Sequence, residues 1–252
     1  MDGGSPRQLQ LLDRLAEERP VVWRRSSRAR RLTIRVHRDA TVEVVVPSRT
    51  SVSTVADFIA RHRPWIERRR AEAELRRPPV EPFPPARIEL RALGEVWRVH
   101  VAGGLGRLAV RERGVGLLQV VGDARGGAAL RRALLRWLMR HCVEPLHREL
   151  RDTAQRCGFR YRTMSLRRQR ARWGSCSVRG TISLNVCLAF QRPEVVRYLL
   201  VHELAHTRHM NHSRAFWTCV AQHCPDWVQL DRELLDGWKH VPAWIFEETF
   251  DD

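Results

Sequence analysis

Residues 202–212 read HELAHTRHMNH. Side chains four apart on an α-helix are offset by only ~40° around its axis, so this spacing predicts His202 and His206 on one face, one turn apart. Two imidazoles so placed reach a single zinc ion at ~2.0–2.1 Å. Glu203 follows one step round the helix, in position to take a proton from a zinc-bound water. The residue types therefore predict metal-assisted hydrolysis, with His202 and His206 as ligands of Zn2+ and Glu203 as general base.

A catalytic zinc needs a third protein ligand and an open position. Three residues compete for that role. His212, six past His206, ranks first, because a sharp turn after the helix would bring it round to the ion. Glu233 ranks second, as the acid of a downstream E-x-x-D with Asp236. His209 ranks last. It falls on the same helical stripe as His202, but ~10 Å further along the axis. His209 or Asn211 is expected to make the turn, since histidine and asparagine enter the left-handed region more readily than most residues.

The elements that must hold these groups can be read in outline. The run Val195, Val196, Leu199, Leu200 leads into His202 and marks a buried helix opened by Pro193. Ser213 is placed to cap a helix holding Phe216, Trp217 and Val220, and Asp226 to cap a last one holding Val228, Leu230 and Leu234. TISLNVCLAF (181–190) alternates and predicts one strand, with Ile182, Leu184, Val186, Leu188 and Phe190 on one face. Asn185 falls on its polar face, where it could support a ligand histidine. Arg131 to Gln155 has helical spacing, with Pro145 as a candidate kink. Further upstream, RLTIRVHRD and TVEVVVP predict a hairpin turning at Arg38-Asp39-Ala40. Ser51 or Ser53 then caps a helix through Val55, Phe58, Ile59 and Trp65.

The fold class expected is α+β, a β-rich N-terminal part followed by a catalytic domain of mixed or antiparallel sheet with an HExxH helix. Its segments are 1–19 as a tail or short helix and 20–126 as the β-rich region with a Pro-rich arm near 76–86. The zinc-bearing catalytic domain is expected at 127–240 and an acidic tail at 241–252.

RWGSCS (172–177), TISLNVCL, YLLVHELAH and NHSRAFW (211–217) together resemble the YgjP-like zinc metallopeptidase family, which is related to the SprT/Wss1-type HExxH peptidases. The resemblance runs from about Val21 to Trp238. It implies a zincin-like catalytic domain, zinc on His202, His206 and His212, and Glu203 as general base. It also implies that RWGSCS lies on or near a strand beside the cleft. Read on their own, Trp173 is a packing residue rather than a substrate platform, Gly174 permits a bulge or close approach of another backbone, and Ser175 or Ser177 makes a turn hydrogen bond in preference to offering its hydroxyl to substrate. Neither serine has a local base, which argues against a serine nucleophile. Candidates to stabilise charge on the carbonyl oxygen are His209, His223, Tyr198 and Arg214. A protein or peptide substrate is expected to pair with a strand edge next to the site, with 181–190 as the candidate.

The 252 residues, 43% hydrophobic, suffice for one large core or two modest ones. No apolar run approaches the ~20 residues that span a bilayer, and the N-terminus lacks a signal layout. A cytoplasmic protein with no membrane partner is expected. The six cysteines lack C-x-x-C pairing and are expected to be reduced. Net charge is +17, almost all of it arginine. Residues 20–77 hold 15 Arg against 6 acids and residues 131–172 hold 13 against 3, whereas 202–252 is net negative. Nucleic acid is thus a partner class that the N-terminal and central regions admit. The rival readings are a zinc hydrolase of nucleotides or other phosphate compounds, and a nucleic-acid-associated protein with a zinc domain.

Overall fold

The computed structural model describes residues 21–37, 40–75, 82–124 and 126–246. The expected N-terminal tail, Arg38 and Asp39 of the hairpin turn, positions 76–81 of the Pro-rich arm and positions 247–252 of the acidic tail lie outside the described residues. No described helix is long and apolar enough to cross a membrane. All six cysteines are free thiols.

The chain divides into two compact units, 1–77 and 78–252. In the first, strands β1 (Val21–Ser26), β2 (Thr33–Val36) and β3 (Val42–Pro47) form a sheet ordered β1-β3-β2. The β2–β3 pair is the expected antiparallel hairpin, and β1 runs parallel to β3. Helix α1 (Val52–Leu75) follows. Ser51 caps it, its Oγ accepting from the Thr54 amide at 3.2 Å. Val42, Val44 and Val46 of β3 pack with Val55, Ile59 and Ile66 of α1 to make this unit's core.

The second unit begins with a sheet ordered β4-β5-β7-β6, from β4 (Arg87–Leu90), β5 (Glu95–Gly103), β6 (Ala109–Glu112) and β7 (Leu117–Val121). Helix α2 (Gly127–Cys157) runs unbroken through Pro145 and stops at Gly158, whose φ of +66° ends the helix in the left-handed region. A second sheet, ordered β8-β10-β9, joins β8 (Thr163–Arg167), β9 (Gly174–Cys176) and β10 (Thr181–Asn185). Helices α3 (Pro193–Ala205), α4 (Arg214–His223) and α5 (Trp227–Asp236) follow. The class is α+β, as the pattern predicts.

Two features differ from expectation. The division falls at 77/78 rather than at 126/127. Ile88, Leu90, Trp97, Leu118 and Val120 of the first sheet share one core with Leu134, Trp137 and Leu138 of α2 and with Leu200 and Leu204 of α3. The strands of 87–121 therefore belong to the catalytic unit. The segment 181–190 is not one strand either. It pairs only through Asn185 and then winds into a 3-10 helix, Val186–Phe190. Residues 182–190 are buried without alternation, so both faces are covered, including the one that carries Ser183 and Asn185.

Candidate metal centre

Helix α3 carries the first two histidines. Pro193 opens it at its first turn, Glu194 sits in that turn, and Val195, Val196, Leu199, Leu200 and Leu204 bury one side. The helix ends at His206. The backbone then turns so that the His209 amide donates to the Ala205 carbonyl at 3.0 Å and the Thr207 hydroxyl to the Leu204 carbonyl at 2.7 Å. Neither His209 nor Asn211 has a positive φ, so the turn closes without the left-handed residue expected. Ser213 caps α4, its Oγ facing the Phe216 amide at 3.5 Å.

This path brings His212 back onto His202 and His206. The three imidazoles offer nitrogens that all lie within 4.8 Å of one another. The two Nε2 atoms of His202 and His212 are 3.2 Å apart. That matches the separation of about 3.3 Å between two nitrogens each ~2.0–2.1 Å from a tetrahedral ion. The other two candidates for third ligand are elsewhere. Glu233 is bound through both oxygens by the Arg192 guanidinium, at 2.7 and 2.6 Å. His209 contributes its carbonyl, which accepts from His206 Nδ1 at 3.0 Å. That bond fixes the His206 tautomer and leaves Nε2 with its lone pair.

His202 is held in a comparable way. Its Nδ1 lies 3.4 Å from the Tyr198 hydroxyl, which donates to Asp231 of α5 at 2.6 Å. The one hydroxyl proton goes to the carboxylate, so the oxygen accepts from His202 Nδ1–H. Tyr198 is therefore a buried support of His202 and not the oxyanion donor listed among the candidates. Its position four residues before His202 on a helix is a signal the sequence carries; nothing in the sequence singles out Asp231. Phe216 stacks under His206 at 4.5 Å. Trp217 stacks on His212 at 5.6 Å, and Trp227 on Trp217 at 4.3 Å. His202 and His206 are shielded while His212 is exposed, so the cluster opens to solvent on one side.

Burial and the neighbouring imidazoles hold the His202 pKa down at about 3, and burial lowers that of His206. Both rings are neutral near pH 7 and present lone pairs, the state a cation requires.

Glu203 is 5% exposed, and its Oε2 has no hydrogen-bond partner. Burial pushes its pKa up to about 8, against the pull of Arg172. Its carboxylate lies against Gly174 of β9, where a Cβ would come 2.7 Å from Oε1. Gly174 thus serves the close approach of a side chain, not of another backbone. RWGSCS does flank the site, with β9 as an outer strand of its sheet. Trp173 packs on Trp238 at 3.9 Å, and Ser177 Oγ accepts from the Thr181 amide at 3.1 Å. Asn185 supports no histidine. It is fully buried and donates to the Gln169 and Arg172 carbonyls, both at 2.7 Å, which shapes the approach to β9.

The remaining oxyanion candidates divide. His223 meets the edge of Phe159. His209 and Arg214 line a separate open groove of about 460 Å³ with Arg208 and Thr218, whose walls include none of the three clustered imidazoles.

No curated protein matches the chain. Among solved structures, the metallopeptidase zymogen of Pyrococcus abyssi abylysin is 23% identical, covering 36% of this chain and 91% of that chain at a TM-score of 0.33. A family model described as YgjP-like, metallopeptidase domain, matches residues 30–236, which include every residue of the cluster. The chain belongs to the YgjP-like family and is a hydrolase of the metallopeptidase type.

Proposed function

We propose that the protein hydrolyses peptide bonds with one zinc ion held by His202, His206 and His212, and with Glu203 as general base. The observation that carries this reading is the convergence of three imidazoles beside a buried carboxyl with a free oxygen. An all-imidazole set suits zinc. Zinc bound there supplies a water acidified to a pKa of ~7 and polarises the substrate carbonyl. In its ionised form, Glu203 takes one proton from the attacking water as that water's oxygen joins the carbonyl carbon. The same carboxyl then delivers that proton to the amine nitrogen as the C–N bond breaks. Tyr198 and the His209 carbonyl keep the rings of His202 and His206 aimed during the cycle.

The substrate edge moves from 181–190 to β9. Strand β10 is paired on both sides, by β8 and β9, while β9 is the outer strand next to Glu203. An extended peptide laid along Gly174–Cys176 would hydrogen-bond through its main chain and be read loosely in sequence.

Glu203→Gln is the decisive variant. Metal content measured after zinc loading should match wild type, while peptide turnover falls by about 10²–10⁴. Full turnover in this variant would remove Glu203 from the chemistry. His202→Ala and His212→Ala should each lose the metal.

A further inference from the structure

The three clustered imidazoles all lie in the second unit, and the arginines of the N-terminal unit are unevenly used among the described residues. Glu43 gathers Arg24, Arg35 and His37. Arg63 and Arg69 pair with Glu67 and Glu72 along α1. Arg28, Arg30, Arg31 and Arg49 are all exposed, and no ion pair among the described residues engages them. Arg25, also exposed, reaches only the Ser48 carbonyl, at 2.9 Å.

The topology puts these five at one end of the sheet. Strands β1 and β3 run parallel, and β2 runs against them. The end of β1, the start of β2 and the end of β3 therefore coincide. Residues 26–33 and 47–51, which connect there, contain no acidic residue. Five arginines are thus gathered at one end, on or next to connections that themselves carry no carboxylate. Arginine keeps its charge at any working pH, and its planar fork matches phosphate oxygens.

A second feature lies beside them. Trp23 is 38% exposed, unusual for an indole in a small unit with an apolar core. It pairs in register with Val44, and Arg25 with Val46, so both project from the same face of β1, ~6.6 Å apart. A flat ring flanked by cations is the arrangement on which a nucleobase stacks while its backbone follows the charges.

We propose that this end of the N-terminal unit binds single-stranded nucleic acid, with Arg25, Arg28, Arg30, Arg31 and Arg49 on phosphates and Trp23 under a base. Stacking on a single strand-borne indole suits a base; an anionic membrane, which indole and arginine together would also attract, is the outcome that the vesicle arm of the test reads. None of these residues belongs to the imidazole cluster, so the proposal stands or falls separately from the peptidase reading.

The test uses the full chain carrying Glu203→Gln and a labelled single-stranded DNA of about 20 nucleotides, followed by fluorescence anisotropy over a salt series. Binding should weaken linearly in log[salt], with a slope of about −0.7 per phosphate contacted. Replacing Arg28, Arg30 and Arg31 together by Ala should flatten that slope by about 2 and weaken binding at least ~10-fold at low salt. Trp23→Ala should weaken binding about equally at every salt concentration and leave the slope unchanged. All four side chains are exposed, so the variants should keep the wild-type circular dichroism and, with Glu203 restored, the wild-type peptidase rate. The proposal fails if the oligonucleotide does not bind at low salt, or if the arginine variant binds as wild type. It also fails if phosphatidylserine vesicles bind as tightly and Trp23→Ala changes nothing, which would mark a general anionic-surface contact.

Discussion

At Gly174 a single missing carbon sets the position of the Glu203 carboxyl. A Cβ there would lie 2.7 Å from Glu203 Oε1 and 2.9 Å from its Cγ, well inside van der Waals contact. Gly174→Ala must push the carboxylate aside, while the three imidazoles hang on other residues. We expect this variant to keep its metal and to lose about 100-fold in turnover, since displacing a catalytic group by ~1 Å has that effect. Equal metal content with unchanged rate would show that Glu203 tolerates the shift. The support of His202 gives the opposite pattern. Asp231→Asn and Tyr198→Phe disturb the group that fixes the Nδ1 proton, so zinc affinity by chelator competition should fall about 10–100-fold. The histidines and Glu203 were legible in the sequence because helical geometry turns a spacing of four into a shared face. Asp231 was not, because its partner lies 33 residues away and only the packing of α5 on α3 brings them together. Glu233 remained a second-ranked candidate for the same reason, since the arginine that engages it lies 41 residues away.

Helices α3, α4 and α5 act as a frame for that cluster, and the frame is tied by one ion pair. Arg192, at the start of α3, grips Glu233 of α5 through two hydrogen bonds. That guanidinium holds the Glu233 carboxyl below its ordinary pKa of 4.5. A depressed carboxylate pKa stabilises the fold above the unfolded-state value, and the gain disappears as pH falls through the folded-state value. Both side chains are partly exposed, so Glu233→Gln should cost only about 1 kcal/mol at pH 7. The difference from wild type should shrink as pH drops below 4.5 and as salt is added. Urea titrations at several pH values measure it, and zinc affinity should stay within about twofold of wild type, whereas a ligand role would abolish it. Element by element, the helices were the readable part. Pro193, Ser213 and the apolar stripe of α3 announce themselves through local chemistry. The segment 181–190 did not, because alternation only reports a strand with one wet face. Here Ser183 and Asn185 are buried with their neighbours, and Asn185 accepts the Cys187 amide at 3.1 Å as the chain tightens into a 3-10 turn.

Over the whole molecule, two cores that share no residue predict two unfolding events. Val42, Val44, Val46, Val55, Ile59 and Ile66 make up the buried cluster of the N-terminal unit, among the described residues. The cluster of the second unit runs from Ile88 to Ile245 and encloses α3 beneath the histidines. The area of apolar surface removed from water scales stability, so the smaller core should melt first. A ligand that binds only the folded second unit stabilises that unit and leaves the other alone. At a free zinc concentration about 100 times its Kd the gain is about 2.7 kcal/mol. For a unit of this size that corresponds to an upward shift of about 5–10 °C. Calorimetry of the full chain should therefore show two transitions, with zinc raising the upper one and a chelator restoring it. His212→Ala should retain both transitions and lose the zinc-dependent shift. If zinc moved both transitions together, or if one sharp transition moved as a whole, the two cores would be unfolding as one cooperative body. The metal centre would then be stabilised by the arginine-rich unit as well as by its own frame.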